Sequence, residues 1–410
     1  MDRIELLAPA GSLEKLKFAV LYGADAVYIG GQAFSLRTAA ENFSEDDIRE
    51  GVEFAHKKGV KVYIALNIIA HNADIEKIVE AGKRAHLMGV DAAIVADIGV
   101  MTALRENVPG LDLHISTQAN IVNTKSASVF YKMGAKRVVL ARELSLDEIK
   151  EIREKTPVGL ELEMFVHGAM CISYSGRCLL SNYMTGRDSN GGACAQPCRW
   201  NYCLVEEKRP GEYYPVYEDN HGTYIFNSKD LCLIEHIPEI IEAGVTSLKI
   251  EGRVKTEYYV ATVVKAYREA IDAYYRDGDL YKFDKSLMDE LKKISHRNYC
   301  EGFFKGKTDE NSQVYETSSY VRNYELVGIV KDYDAETGIL TLEQRNRFFK
   351  GDELEILQPM VPGFTVLKVD YMTDENGWEI NSAPNPKMLV KIKSDKKIIP
   401  NSIIRKVREG

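Results

Sequence analysis

The chain has 410 residues, 45% of them hydrophobic and 28% charged, with a net charge of −8. That composition excludes a disordered, collagen-like or small stapled chain, and at about 150 residues per domain the length predicts two or three domains. The acidic balance excludes a globally basic nucleic-acid binder, so any contact with RNA must come from a local patch. Met1-Asp2-Arg3-Ile4-Glu5 carries charges and no long apolar h-region accompanies them, unlike a typical secretory signal, and no apolar run reaches the roughly 18 residues of a membrane span. The expected location is the cytoplasm, with no membrane partner. Seven cysteines there, an odd number, point to metal or catalysis rather than to a disulfide framework.

In chain order, one pattern recurs at Gly23, Gly59, Gly89, Gly134 and Gly244: a glycine before a short apolar run, as in Gly23-Ala-Asp-Ala-Val-Tyr-Ile. Each copy predicts a helix closed by a glycine cap and feeding a buried strand. The segment 44–58 predicts an amphipathic helix, with Ser44 as N-cap, Asp47 three residues on, and Ile48, Val52 and Ala55 on one face. Apolar runs near 4–8, 26–29, 61–66, 92–96, 112–116, 137–141, 160–166 and 246–250 make eight strands, mostly 20 to 35 residues apart. That is βαβ spacing, and the predicted fold is α/β, a (β/α)8 TIM-like barrel.

Functional residues of such a barrel lie at the C-terminal ends of the strands. Here those ends carry Pro9, Gly11, Gly30, Gly31, Asn67, Asp97, Gln118, Arg142, Glu143, His167, Lys249, Glu251 and Arg253. About 80 residues separate the seventh strand from the eighth, far more than a βα unit needs, and this interval holds most of the cysteines. The barrel is expected over 1–300, including a Cys-rich insertion at 168–235. A helix with Val260, Val263, Val264, Tyr267, Ile271 and Tyr274 on one face follows the eighth strand.

After a linker over 301–324, short alternating segments with turns predict a C-terminal small β-barrel over 325–410. Residues 384–410 hold eight Lys/Arg against Asp395 and Glu409, a local net charge of +6. Such an edge suits an RNA backbone, or is a solvated strand face guarded by lysine.

The cysteine-rich stretch runs from Cys171 and Cys178 through Cys194, Cys198 and Cys203 to Cys232. Thiolates are soft ligands for zinc or iron–sulfur clusters. The spacings C-x6-C, C-x3-C and C-x4-C depart from the paired short knuckles of structural zinc and tilt toward iron–sulfur. The alternative is a set of buried free cysteines acting as small apolar residues.

The run Glu163-x-Phe165-x-x-Gly168-Ala169-Met170-Cys171-x4-Gly176-x-Cys178-x-Leu180-Ser181 resembles the signature of peptidase family U32. The opening Leu7-Ala8-Pro9-Ala10-Gly11, the segment Lys249-Ile-Glu-Gly-Arg253 and the C-terminal β domain are similar to the same family, so the resemblance covers essentially the whole chain. It implies an enzyme of oxygen-independent, prephenate-dependent hydroxylation, converting wobble uridine of tRNA to 5-hydroxyuridine. It also implies a 4Fe-4S cluster on Cys171, Cys178, Cys194 and Cys232, with Cys198 competing for the third place. Expected partners are tRNA, prephenate and a sibling subunit or electron donor. The family name implies the alternative of a collagenase-like peptidase, and a noncatalytic metal-binding tRNA scaffold is a further one.

The chemistry of the residues bears on these alternatives. H-E-x-x-H, G-x-S-x-G, G-x-x-x-x-G-K-[ST] and G-x-G-x-x-G do not occur in the sequence. A Cys171–His167 pair would make a thiol nucleophile, but a sulfur that ligates iron is not available for that role. Arginine captures the two carboxylates of prephenate, and Arg37, Arg142, Arg177 and Arg253 are the candidates. Lys249, Glu251 and Arg253 alternate along the last strand and share one side of it, either as a ligand site or as an internal ion-pair network. Lys249 and Arg253 are expected to bind substrate, and Glu251 and His167 to act in catalysis. Asn67, His114 and Gln118 either read a base edge or fill the polar top layer of the barrel, the second being expected. Tyr202, Tyr213, Tyr214, Tyr217 and Tyr224 are candidates to stack an extruded uridine.

Overall fold

Gly23, Gly59, Gly89, Gly134 and Gly244 all have positive φ, between 74° and 108°. A glycine enters this left-handed region without a Cβ penalty, and each of the five turns a helix end into a strand start. The computed structural model describes residues 3–31, 43–171, 173–174, 177–187, 189, 193–200, 203–204, 214–215, 227–306, 313–314 and 321–408. The strands are β1 (Glu5–Pro9), β2 (Ala26–Gly30), β3 (Lys61–Leu66), β4 (Ala92–Val95), β5 (Asp112–Ile115), β6 (Arg137–Val139), β7 (Glu161–Ala169), β8 (Asp230–Cys232), β9 (Ser247–Ile250) and β10 (Tyr299–Cys300). The helices are α1 (Leu13–Leu21), α2 (Glu45–His56), α3 (Asn72–Leu87), α4 (Ile98–Asn107), α5 (Thr124–Lys132), α6 (Leu146–Glu154), α7 (Leu180–Thr185), α8 (Ile237–Glu242), α9 (Glu257–Asp277) and α10 (Lys285–Leu291).

Strands β1 to β7 pair in sequence order and in parallel, and β9 closes the ring by pairing in parallel with both β7 and β1. The eight-stranded barrel is the fold the repeat predicts. Its closing register sets Glu5 against Ser247, Leu7 against Lys249, and Lys249 against Phe165. Helix α2 carries the expected capping box, with Asp47 N donating to Ser44 Oγ at 3.2 Å and Ser44 N donating to Asp47 Oδ2 at 3.0 Å. Its buried face is Ile48, Val52 and Ala55.

Beyond the barrel wall, β8 runs antiparallel to the end of β7, placing Cys232 opposite His167 and Asp230 opposite Ala169. Strand β10 adds to β8 in parallel. The fully buried Arg297 holds this extension by donating from Nη2 to Asp230 Oδ1 at 2.8 Å.

The chain divides into two compact units, one of Met1–Val20, Ala24–Lys255 and Arg297–Tyr320, the other of Leu21–Gly23, Thr256–His296 and Val321–Gly410. The second contains α9, α10 and strands β11 (Tyr324–Asp334), β12 (Ile339–Gln344), β13 (Glu353–Leu357), β14 (Thr365–Lys368), β15 (Met372–Asp374), β16 (Leu389–Lys393) and β17 (Ile403–Val407). These form a seven-stranded antiparallel sheet in the order β14-β13-β17-β11-β12-β16-β15. Alternating residues such as Leu340 and Leu342, Leu354 and Ile356, and Val390 and Ile392 supply its core. Helix α9 buries Val260, Val263, Val264, Tyr267 and Ile271 on the face the sequence predicts.

Two of the eight basic residues of 384–410 are neutralised inside this unit. Arg405 is fully buried, with Nη2 2.6 Å from Glu290 Oε2 and 2.7 Å from Glu355 Oε2. Lys406 Nζ lies 3.0 Å from Asp352 Oδ2. The charge offered to a partner is therefore smaller than the bare sequence count, because strand geometry turns these two side chains onto carboxylates. Among the described residues no helix is long and apolar enough to cross a membrane.

Candidate functional site

The barrel interior is polar at its centre. Arg137 of β6, 3% exposed, reaches Glu5 Oε1 at 2.5 Å, Glu163 Oε2 at 2.9 Å and Glu161 Oε2 at 2.7 Å. Tyr63 donates its hydroxyl to Glu5 at 2.7 Å, and Ser247 does so at 2.9 Å. Lys249 Nζ joins through Glu163 Oε1 at 2.7 Å and stands over the rings of Tyr28 (4.7 Å) and Phe165 (5.5 Å). Burial pushes the Glu5 carboxyl up, but the Arg137 guanidinium, with the Tyr63 and Ser247 hydroxyls, outweighs it and leaves it below the ordinary carboxylate value. Burial draws the Lys249 ammonium down against the pull of Glu163. The buried His114 imidazole lies well below the usual histidine value, through burial and then the nearby Arg137 and Lys249.

Above this network, at the C-terminal ends of the strands, opens a cavity of about 200 Å³. The barrel contributes Tyr28, Asn67, Ser116, Gln118, Arg142, Phe165, Lys249, Glu251 and Arg253 to its lining. The segment after β7 contributes Met170, Cys171, Cys178, Ser181, Cys194, Gln196 and Cys198. Arg142 stacks on Phe165 at 4.5 Å while donating from Nη1 to Ala169 O at 2.6 Å. Two loops meet tightly at the rim, since a Cβ on Gly11 would lie 1.9 Å from the carbonyl oxygen of Arg253.

The structure thus brings together Lys249, Glu251 and Arg253 with Cys171, Cys178 and Cys194 on one cavity. Lys249 belongs at once to the cavity lining and to the internal ion-pair network, so the two readings of the alternating trio coexist for it. His167 is 1% exposed on β7, its ring 5.3 Å from that of Tyr299, and it is not among the lining residues. Its carbonyl accepts the backbone N–H of Glu251 at 2.9 Å. Arg177 is exposed and also not among them. Arg37, Tyr202, Tyr213, Tyr217 and Tyr224 lie outside the described residues, as does the side chain of Tyr214.

Four thiols line the cavity: Cys171, Cys178, Cys194 and Cys198. Cys232 is buried on β8 and is not part of that lining. A set of soft sulfur donors facing one cavity suits an iron–sulfur cluster or zinc in its chemistry. Among the described residues, no three Cys, His, Asp or Glu side chains converge as ligands of a metal ion. Cys194 Sγ instead accepts the backbone N–H of Gln196 at 3.4 Å, and Cys171 Sγ lies 3.9 Å from Ser173 Oγ. Asn67 and Gln118, expected to fill the polar top layer of the barrel, line the cavity beside Ser116.

The chain matches known proteins along almost its whole length. Residues 11–314 match the profile of peptidase family U32, and residues 322–405 match that of the peptidase family U32 C-terminal domain. A tRNA hydroxylation protein of Bacillus subtilis is 46% identical over 98% of this chain and 94% of its own length. A 23S rRNA 5-hydroxycytidine synthase of Escherichia coli is 34% identical over 95% of this chain and 58% of its own. A collagenase of Porphyromonas gingivalis is 34% identical over 90% of each chain. With both regions matched and the likeness running almost end to end, the chain belongs to peptidase family U32.

Proposed function

We propose that this protein is an RNA-modifying enzyme that hydroxylates the wobble uridine of tRNA to 5-hydroxyuridine, in an oxygen-independent reaction that uses prephenate. The observation that carries the reading is the 46% identity to a tRNA hydroxylation protein across 98% of this chain. The cavity supports it, because thiols, cationic side chains and neutral amides share one wall. In this proposal Cys171, Cys178 and either Cys194 or Cys198 from the cavity lining, with Cys232 of β8, would hold a 4Fe-4S cluster, which when bound would supply the redox chemistry that hydroxylation needs. Arg253 and Arg142 offer planar guanidinium donors to the carboxylates of prephenate. Lys249 adds a second cationic centre held in place by Glu163. Glu251 is the carboxylate on the lining available to hold or move a proton there.

The likeness to a collagenase favours a second reading, a peptidase. A Cys171–His167 pair is poorly suited to it, since Cys171 is exposed while the His167 ring packs against Tyr299 behind the lining.

Nucleoside mass spectrometry of total tRNA tests the proposal, in a strain lacking this protein and its relatives. Complementation with the intact chain is expected to restore 5-hydroxyuridine or its derivatives, Cys171→Ser is expected not to, and withdrawal of prephenate is expected to abolish the product. Identical tRNA with and without the protein overturns the reading and moves the search to peptide substrates.

A further inference from the structure

The side chain of Gln118 is the most unusual feature of the cavity wall. The residue is 7% exposed, yet among the described residues neither Nε2 nor Oε1 has a hydrogen-bond partner. Its backbone is fixed on both sides. Gln118 N donates to Ser116 Oγ at 3.4 Å, and Gln118 O accepts from Asn120 Nδ2 at 2.9 Å, with Asn120 in the left-handed region at φ 52°. Asn67 stands beside it through the same serine, donating from Nδ2 to Ser116 Oγ at 3.3 Å. That bond orients the amide, and the remaining Oδ1 is likewise buried without a partner among the described residues. Buried polar atoms are normally paired, and a fixed turn that holds three unpaired ones on two residues of a cavity lining is the mark of a site whose partner arrives with the ligand.

The pattern of atoms selects the ligand class. A carboxylate needs donors, and two unpaired acceptors, Gln118 Oε1 and Asn67 Oδ1, repel it. An imide edge presents N–H next to C=O, which a carboxamide matches with one acceptor and one donor. We propose that Gln118, supported by Asn67, is a base-reading subsite that grips the N3–H and adjacent carbonyl of a uracil turned into the barrel mouth. The anionic co-substrate is left to the cationic part of the wall at Arg142 and Arg253. This inference rests on the RNA-hydroxylation reading above and names how that site recognises its base. A site built to hydrogen-bond a group discriminates strongly against an analogue that lacks it, because its own buried atoms are then left unpaired.

The test is a binding cycle on the full-length protein, purified without oxygen, using a short tRNA anticodon stem-loop with either uridine or 3-methyluridine at the first anticodon position. Methylation removes the N3 donor. The wild type is expected to bind the uridine form at least about tenfold more tightly, whereas Gln118→Leu is expected to bind both forms equally, at the weaker level. Thermal unfolding checks that the variant is folded, and Gln118→Met, which keeps roughly the length of the side chain and removes both the donor and the acceptor, replaces it if it is not. A variant that still discriminates as the wild type does overturns the subsite while leaving the RNA reading intact. A wild type that binds neither stem-loop overturns both.

Discussion

Arg137 and Glu5, 132 residues apart in sequence, meet inside the barrel with Nη1 and Oε1 at 2.5 Å. Their strands are not neighbours, so the pair spans the barrel interior and ties β6 to β1. Glu163 links the same guanidinium to Lys249, which faces the cavity. The network is both the floor of the site and a clamp on barrel closure.

Glu5→Gln is expected to destabilise the protein at pH 7 by about 1–3 kcal/mol, because Arg137 stays buried with one carboxylate fewer. The Glu5 carboxyl sits below its ordinary value of 4.5 in the fold. Its contribution is therefore complete above 4.5 and is lost as pH falls through the lower folded value. Melting curves of wild type and variant should converge as pH drops below 4.5. A constant gap down to pH 3 would show that Glu5 is not the titrating member.

His114 titrates in the opposite sense to a paired surface histidine. Burial, with Arg137 and Lys249 nearby, keeps it neutral in the fold, while the unfolded chain takes up a proton below about 6.5. The wild type should lose about 1.4 kcal/mol per pH unit below that value through this group. His114→Gln is expected to flatten the slope between pH 6.5 and 5. An imidazole resonance that titrates near 6.5 in the folded protein contradicts this account.

At the rim, Gly11→Ala puts a methyl group 1.9 Å from the backbone oxygen of Arg253. Backbone cannot rotate away as a side chain can, so a cost of about 1–3 kcal/mol is expected, together with a displaced Arg253. Calorimetry measures the first effect. An unchanged melting temperature means that the two loops are not in this contact.

Tyr22 tests the second unit. Its hydroxyl donates to Leu357 O at 2.8 Å and accepts from Ile403 N at 3.1 Å, both in fully buried surroundings. Tyr22→Phe removes a partner from each backbone group and should cost about 1–3 kcal/mol. Hydrogen exchange at Ile403 should rise in the variant, and unaltered protection there counts against the bond.

Local signals in the sequence were enough for the barrel. Glycines at helix ends, the Ser44 and Asp47 box and the spacing of apolar runs all act within a few residues of chain, and they specify eight strand–helix units whatever the units later pack against. The thiol-rich stretch between the seventh and eighth strands was legible for the same reason, as was the family to which it belongs.

What tertiary structure decided concerns pairs that only closure brings together. Lys249 meets Glu163 across 86 residues of sequence, Arg405 turns from a supposed surface charge into a buried one, and Cys198 reaches the cavity lining that Cys232 does not. The orphaned amide of Gln118 belongs to the same class, for a glutamine at a strand end reads alike whether its partners are protein atoms or absent. Composition and periodicity carry no information about distance between such residues. The register in which β9 meets β1 and β7 supplies it, and with it the electrostatics of the barrel mouth.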